Sequence, residues 1–160
     1  MADKRLTLRD LFAHPLHIPA LGFGAGLSPI APGTFGTLIA VPICSACAYF
    51  LGEYFVLAVV MGFFAGVSIC GKTARNLDCH DHGGIVWDEI IGFAVTILWL
   101  PLTWTWMLAA FLLFRFFDIV KPWPIGWLDK RIHGGLGIML DDVIAGAMAC
   151  AILHASAQLL

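Results

Sequence analysis

The chain has 160 residues, of which 60% are hydrophobic and 12% charged, with a formal net charge of -2 and a mean hydropathy of +0.89. That length suffices for one domain, and the apolar excess lies outside the range of soluble domains and predicts a membrane protein. The slightly acidic balance excludes nucleic acid as a partner, because no basic face could neutralise a run of phosphates.

The first twenty residues begin MADKRLTLRDLFAHPLH, which has basic residues but no uninterrupted apolar core. They predict a cytoplasmic segment without a cleavable signal peptide. GFGAGLSPIAPGTFGTL follows, Gly22 to Leu38, with five glycines and two prolines. Its composition leaves two readings open: an ordinary loop with a helix starting at Thr34, or a nest of backbone amides, with the Ser28 and Thr34 hydroxyls, facing an anion.

Apolar runs then occupy 35–52, 54–70, 85–100, 103–119 and 143–160. Each is about 16 to 18 residues, or ~24–27 Å as a helix, slightly short of a ~30 Å hydrocarbon core. They predict an all-α fold: one domain over 1–160, a membrane bundle of four to five short apolar helices. Pro42 lies inside the first run, and Pro101 separates the third from the fourth, where Trp99, Trp104 and Trp106 gather as interfacial aromatics do. The five cysteines lie in or beside apolar runs and read as reduced packing residues, including the C-x-x-C of Cys44 and Cys47.

If the runs alternate across a bilayer, all nine basic residues (Lys4, Arg5, Arg9, Lys72, Arg75, Arg115, Lys121, Lys130, Arg131) fall on one face. That face is predicted to be cytoplasmic. The acids share it, except Glu53. Loops account for Asp78 and Asp129, whereas Asp88, Glu89, Asp118, Asp141 and Asp142 sit in the end turns of apolar runs, where a carboxylate is costly and marks function.

GVSICGKT, Gly66 to Thr73, fits the phosphate-loop pattern G-x-x-x-x-G-K-[ST]. It ends the run LAVVMGFFAGVSICGKTARN, with Gly62 and Gly66 at helix-packing spacing and no strand pattern before it, so it predicts a helix end and no nucleotide. Cys70 and Arg75 miss the cysteine-phosphatase spacing C-x5-R by one residue.

Further on, HDHGGIVWDEIIG carries Asp88 and Glu89, which diverge by about 100° on a helix, so that one is expected to bind metal and the other to orient or cap. Cys79, His80, Asp81 and His82 are consecutive and cannot easily close a tetrahedral zinc site. In FRFFDIVKPWPIGWLDKRIHGGLGIMLDDVIAG, Arg115 and Asp118 share a helix face before KPWP ends the helix. That pair is either self-neutralising or functional. Asp141 and Asp142 are expected to open the last helix, where the dipole favours carboxylates, although capping needs only one. An oxygen-rich cluster of this kind suits magnesium, and the adjacent Arg115 and Lys121 suit a phosphate.

GLSPIAPGTFGTL, HDHGGIVWDEIIG, FRFFDIVKPWP and GGLGIMLDDVIAG resemble, in the same order, the motifs of the phosphatidylglycerophosphatase A family. The resemblance implies a magnesium-dependent, multi-pass phosphatase of the bacterial inner membrane, its site facing the cytoplasm. The substrate implied is phosphatidylglycerophosphate, which loses its terminal phosphate to give phosphatidylglycerol. It implies Mg²⁺ held by Asp88, Glu89, Asp118, Asp141 and Asp142, with Asp88, Asp118 and Asp142 catalytic. Ser28, Gly33, Thr34, Asp81, Arg115 and Lys121 would meet the substrate, and Trp123 and Trp127 would seat its headgroup. Attack by a metal-polarised water and attack by an aspartate both remain open.

Two other classes compete. A carboxylate-lined ion transporter would place its acids near the bilayer midplane. A CDP-alcohol phosphotransferase would carry D-G-x2-A-R-x8-G-x3-D-x3-D, which is absent, as is the P-S-G-H element of histidine-dependent lipid phosphatases.

Overall fold

The glycine- and proline-rich run before Pro32 separates a short N-terminal segment from a long apolar remainder. The computed structural model describes residues 5–79 and 82–158, and every regular element among them is helical. Before the run come α1 (Leu8–Phe12) and α2 (His17–Ala20), and a 3-10 segment (Gly22–Leu27) lies within it. After it come α3 (Pro32–Leu51), α4 (Phe55–Asn76), α5 (Trp87–Thr96), α6 (Trp104–Val120), α7 (Ile125–Asp129) and α8 (Gly134–Ala157).

Polar contacts hold the N-terminal segment to the bundle. Thr7 stands at the N-cap of α1, and the Asp10 carboxylate reaches back to accept its N–H and hydroxyl at 2.8 and 2.7 Å, as in a capping box. The buried His17 ring donates from Nδ1 to the Asp10 carbonyl (2.7 Å) and accepts at Nε2 from Asn76 at the end of α4 (3.2 Å).

Pro32 stands at the first helical position of α3, where a missing N–H costs nothing, and the helix continues through Pro42 to a reversal at Gly52 (φ 53°). α3 and α4 touch each other little, and each packs on α5, which lies along α8. Small residues set these contacts. A Cβ on Gly62 or Gly66 of α4 would come within 2.6 Å of Ile91 or 2.5 Å of Met139. Glycine thus lets α4 approach α5 and α8 as the small-x-x-x-small spacing anticipates.

The bundle has two distinct ends. At one, Gly33 opening α3 meets Glu89 on α5 and Arg115 near the end of α6, while Gly71 near the end of α4 meets Gly135 at the start of α8. At the other, the Gly52–Phe55 turn faces the Ile97–Leu102 connection across a cavity of about 310 Å³. Glu53 lies at this second end, opposite the acid-bearing helix termini.

The stretch Pro32–Asn76, which contains α3 and α4, and α8 are long and apolar enough to cross a membrane. Outward residues follow helical spacing in apolar stripes, Leu57, Met61 and Phe64 on α4 and Leu108, Leu112 and Phe116 on α6, all exposed. Such continuous apolar surface is a membrane or partner surface rather than a water-facing one.

Two elements differ from the sequence expectation. The run 85–100 forms only the 10-residue α5, about 15 Å long, which is too short to cross a ~30 Å core. Eight of its ten residues are buried, so its uniform hydrophobicity reflects a core helix enclosed by α3, α4, α6 and α8. α8 begins at Gly134, not near 143, and near its start Gly135 sits against the backbone of Val67 and Gly71 on α4 instead of forming a turn. The last two residues of the expected run 143–160 lie outside the described residues.

Candidate active site

Asp88 and Glu89 occupy the first turn of α5, where the unpaired N–H groups and helix dipole favour negative charge. α8 runs alongside in the same direction: a Cβ on Gly92 would lie 2.7 Å from the Asp142 carbonyl, and Cys150 Sγ reaches the Leu98 carbonyl at 3.8 Å. A Cβ on Gly146 would strike the Gly92 carbonyl oxygen. With glycine on both helices, the backbones come close enough to bring the carboxylate of Asp142 to those of Asp88 and Glu89. One oxygen from each of the three lies within 4.8 Å of the others.

All three are buried, and Glu89 Oε2 and Asp142 Oδ2 make no hydrogen bond among the described residues. Among the described residues, Arg115 on α6 supplies the nearest positive charge, bonded to Asp118 one turn on and 3.9 Å from Glu89 Oε1. Asp118 and Asp88 lie close enough for their charges to act on Asp142. Four carboxylates therefore lie in a buried site where, among the described residues, the Arg115 guanidinium pairs with Asp118 and approaches Glu89. Leaving such charge uncompensated costs several kcal/mol per ion, on the order expected for a desolvated carboxylate. Three converging carboxylates, with the Glu89 and Asp142 oxygens making no hydrogen bond among the described residues, fit a hard divalent cation, for which oxygen donors are the preferred ligands.

The expected divergence of adjacent acids holds for one pair and fails for the other. Asp142 turns to the cluster, whereas Asp141 turns to Lys121, whose Nζ lies 2.6 Å from Asp141 and 3.2 Å from Asp129. Asp88 and Glu89 both reach the cluster, since the longer Glu side chain spans the angle between them. Nor do Asp141 and Asp142 open their helix: they are its eighth and ninth residues, two turns in, which removes capping as their role.

Lys121 closes α6 in the left-handed region (φ 44°), a conformation that usually takes glycine, and its two carboxylate partners tie α6 to α7 and α8. Burial pushes its ammonium toward deprotonation, but the hydrogen bonds and charges of Asp141 and Asp129 prevail and hold its pKa above the ordinary value. The two cations that the sequence assigned to a phosphate are thus already paired with acids.

From the glycine-rich loop, Gly33 comes nearest: a Cβ there would run into Glu89 Oε1 and lie 3.2 Å from Arg115. Ser28 donates to the Ile30 carbonyl at 2.8 Å and lines a separate cavity beside Pro32. Thr34 is half-buried in the first turn of α3, its N–H donating to Ala31. Asp81 and His80 lie outside the described residues. GVSICGKT is helical throughout, inside α4, and no strand leads into it.

A family model described as Phosphatidylglycerophosphatase A matches residues 18–157. The chain belongs to the phosphatidylglycerophosphatase A family. It is 46% identical over 155 residues to the Phosphatidylglycerophosphatase A of Escherichia coli (strain K12), covering 96% of this chain and 88% of that protein. Against the Phosphatidylglycerophosphatase A of Haemophilus influenzae it is 43% identical over 157 residues, 97% of this chain and 96% of the relative. A Bacteroides thetaiotaomicron protein provisionally named as a phosphatidylinositol-3-phosphatase is 40% identical over 144 residues, 82% of this chain and 89% of that one. No solved structure matches the chain.

Within this phosphatidylglycerophosphatase A fold, sequence reasoning did not single out Gly92 and Gly146, which bring α5 and α8 together. A signal for them exists: Gly92 with Thr96, and Gly146 with Cys150, repeat the four-residue small spacing found at Gly62 and Gly66. The acids attract notice first because charge is rare in these runs.

Proposed function

We propose that this chain is a divalent-metal-dependent lipid phosphatase of a bacterial inner membrane that removes the terminal phosphate of phosphatidylglycerophosphate to give phosphatidylglycerol. Membership of the family supports the phosphatase activity and the lipid substrate. The observation that carries the metal is the buried convergence of Asp88, Glu89 and Asp142, one carboxylate oxygen of each within 4.8 Å of the others.

Asp88, Glu89 and Asp142 would hold Mg²⁺, which when bound supplies a Lewis acid that draws charge from a phosphoryl oxygen. Asp118 fixes the Arg115 guanidinium beside them through its own ion pair. Arg115 Nε has no hydrogen-bond partner among the described residues, which leaves a buried donor for a phosphate oxygen. Gly33 keeps a side chain out of the space between Glu89 and Arg115. Lys121 and Asp141 set the position of α8, and so of Asp142, relative to α6. Apolar stripes on α4 and α6 would face acyl chains, with the acid-bearing end toward the cytoplasm, where the basic residues also lie.

Phosphate release from phosphatidylglycerophosphate by the purified protein in detergent tests this. Turnover should stop on chelation and return with Mg²⁺. Full turnover after exhaustive chelation would remove the metal from the reading, and no release from the lipid under any metal condition would remove the activity.

A further inference from the structure

The acids of α5 and α8 stand at the head of an apolar groove. On α5 and its closing turn, Ile91, Val95 and Leu98 follow Asp88 at helical spacing; on α8, Val143 comes directly after Asp142, with Ala147 one turn on. Val56, Val60 and Phe63 of α4 form the opposite wall. These walls line two cavities, of about 350 and 400 Å³, that share Val95 and Leu98 and so form one groove.

The sequence of α4 accounts for the opening. At Gly66 and Gly71 this helix lies against Met139 and Gly135 of α8, whereas beyond Gly62, toward the Glu53 end, the same wall is built of valine and phenylalanine. Bulkier side chains set a wider separation between helices, and α5 forms the floor between α4 and α8. Every residue lining the first cavity is apolar. In the second, the polar tips turn onto the backbone: His154 donates from Nδ1 to the Cys150 carbonyl at 2.9 Å, and Cys150 Sγ reaches the Leu98 carbonyl at 3.8 Å. The groove follows α5 for its whole length, about 15 Å, which is half of a ~30 Å hydrocarbon core. That is the reach of the chains of one leaflet, whereas a spanning helix of a second copy would need a groove twice as long.

We propose that this groove seats an acyl chain of the lipid whose phosphate lies at the carboxylate cluster. The inference rests on the phosphatase reading and adds to it how the lipid is held. A chain in the bilayer already has surroundings as apolar as the groove, so seating it there gains little affinity. The gain is in position. A chain held against Ile91 and Val143 aims its headgroup at Asp88 and Asp142, the acids that precede those residues on the same two helices.

The test uses the full-length protein in detergent micelles containing phosphatidylglycerophosphate with a diazirine midway along one acyl chain. After irradiation, adducts should fall on the groove residues of α4, α5 and α8. Excess unlabelled phosphatidylglycerophosphate should suppress them, and phosphatidylcholine should not. Val60→Trp and Ala147→Phe add bulk to the groove at exposed positions, outside the core. Each should reduce groove labelling and lower kcat for the lipid at least about tenfold with KM little changed, as misplacement of a reacting group does. Leu108→Trp, equally bulky but on the outer face of α6, should stay within about twofold. Adducts spread over the outer faces of α4 and α6 and indifferent to competitor, or wild-type kcat in both groove variants, overturn the proposal. So does a dimer in detergent that both groove variants disperse, which gives the groove to a second copy. Failure of the phosphatase reading shows separately, as groove adducts competed by the lipid in a wild type that releases no phosphate.

Discussion

Asp141 and Asp142 are neighbours in sequence with different surroundings. Asp142 shares its site with Asp88 and Glu89, while Asp141 bonds Lys121. Asn in place of Asp142 keeps the shape and removes the charge that a hard cation requires, so turnover should fall at least about a hundredfold in a folded, membrane-inserted protein. Asp141→Asn should retain measurable turnover and lose stability instead, about 1–3 kcal/mol, because a partly buried Lys121 then keeps, among the described residues, Asp129 alone as an acid partner. Phosphate-release assays and thermal unfolding in detergent separate the two outcomes; equal loss of turnover in both would place Asp141 among the metal ligands. Lys121 adds no pH dependence near neutrality. Its folded pKa is raised, so its contribution is complete below the unfolded lysine value of about 10.4 and is lost only as pH rises through the folded value.

Among the elements, α5 depends most on its neighbours. It is short and almost wholly buried, and its crossing with α8 relies on two glycines facing each other's backbone. Gly146→Ala would push a Cβ into the Gly92 carbonyl and to within 3.2 Å of the Thr96 hydroxyl. It should destabilise the protein by about 1–3 kcal/mol and also reduce turnover, since the crossing sets Asp142 against Asp88. An unchanged unfolding midpoint would mean that the two helices can part at no cost. α4 offers the complementary case. Lys72 lies exposed in the penultimate turn of a continuous helix, not in a loop that folds around phosphates. Lys72→Ala should therefore keep turnover within about twofold, the range of an exposed substitution away from the site. Neither protein should bind ATP in a filter assay, and nucleotide binding lost in the variant would restore the phosphate-loop reading.

At the scale of the whole molecule, the acid-bearing helix termini and the Glu53 turn lie at opposite ends of the bundle. In the proposed orientation, taken from the positive-inside rule, the end with the basic residues would face the cytoplasm. In a variant whose only cysteine is Cys79, a membrane-impermeant thiol reagent added to intact spheroplasts should give no labelling until the cells are opened. A cysteine replacing Glu53 in the same background should label at once. The reverse pattern would invert the topology and move the proposed site away from the cytoplasm. Since α5 is too short to cross, the proposed orientation would rest first on the Pro32–Asn76 stretch and α8, which are long and apolar enough to span.

The sequence by itself determined the helical class, the family and the presence of acids at the ends of apolar runs, because periodicity, hydropathy and rare charged residues are local properties of the chain. It also pointed to a helix end at GVSICGKT, through the small-x-x-x-small spacing and the lack of a strand pattern before it, and the structure has α4 running through it. Only the tertiary structure decided which acids meet. Asp88 and Asp142 stand 54 positions apart, and nothing local says that Gly92 and Gly146 will bring their helices into backbone contact. Nor does the sequence show that the helix starts as early as Gly134, because glycine's local preference for a turn is overridden there by the close packing of Gly135 on α4. A side chain's direction on its own helix follows from geometry, but what it faces depends on how the other helices pack around it.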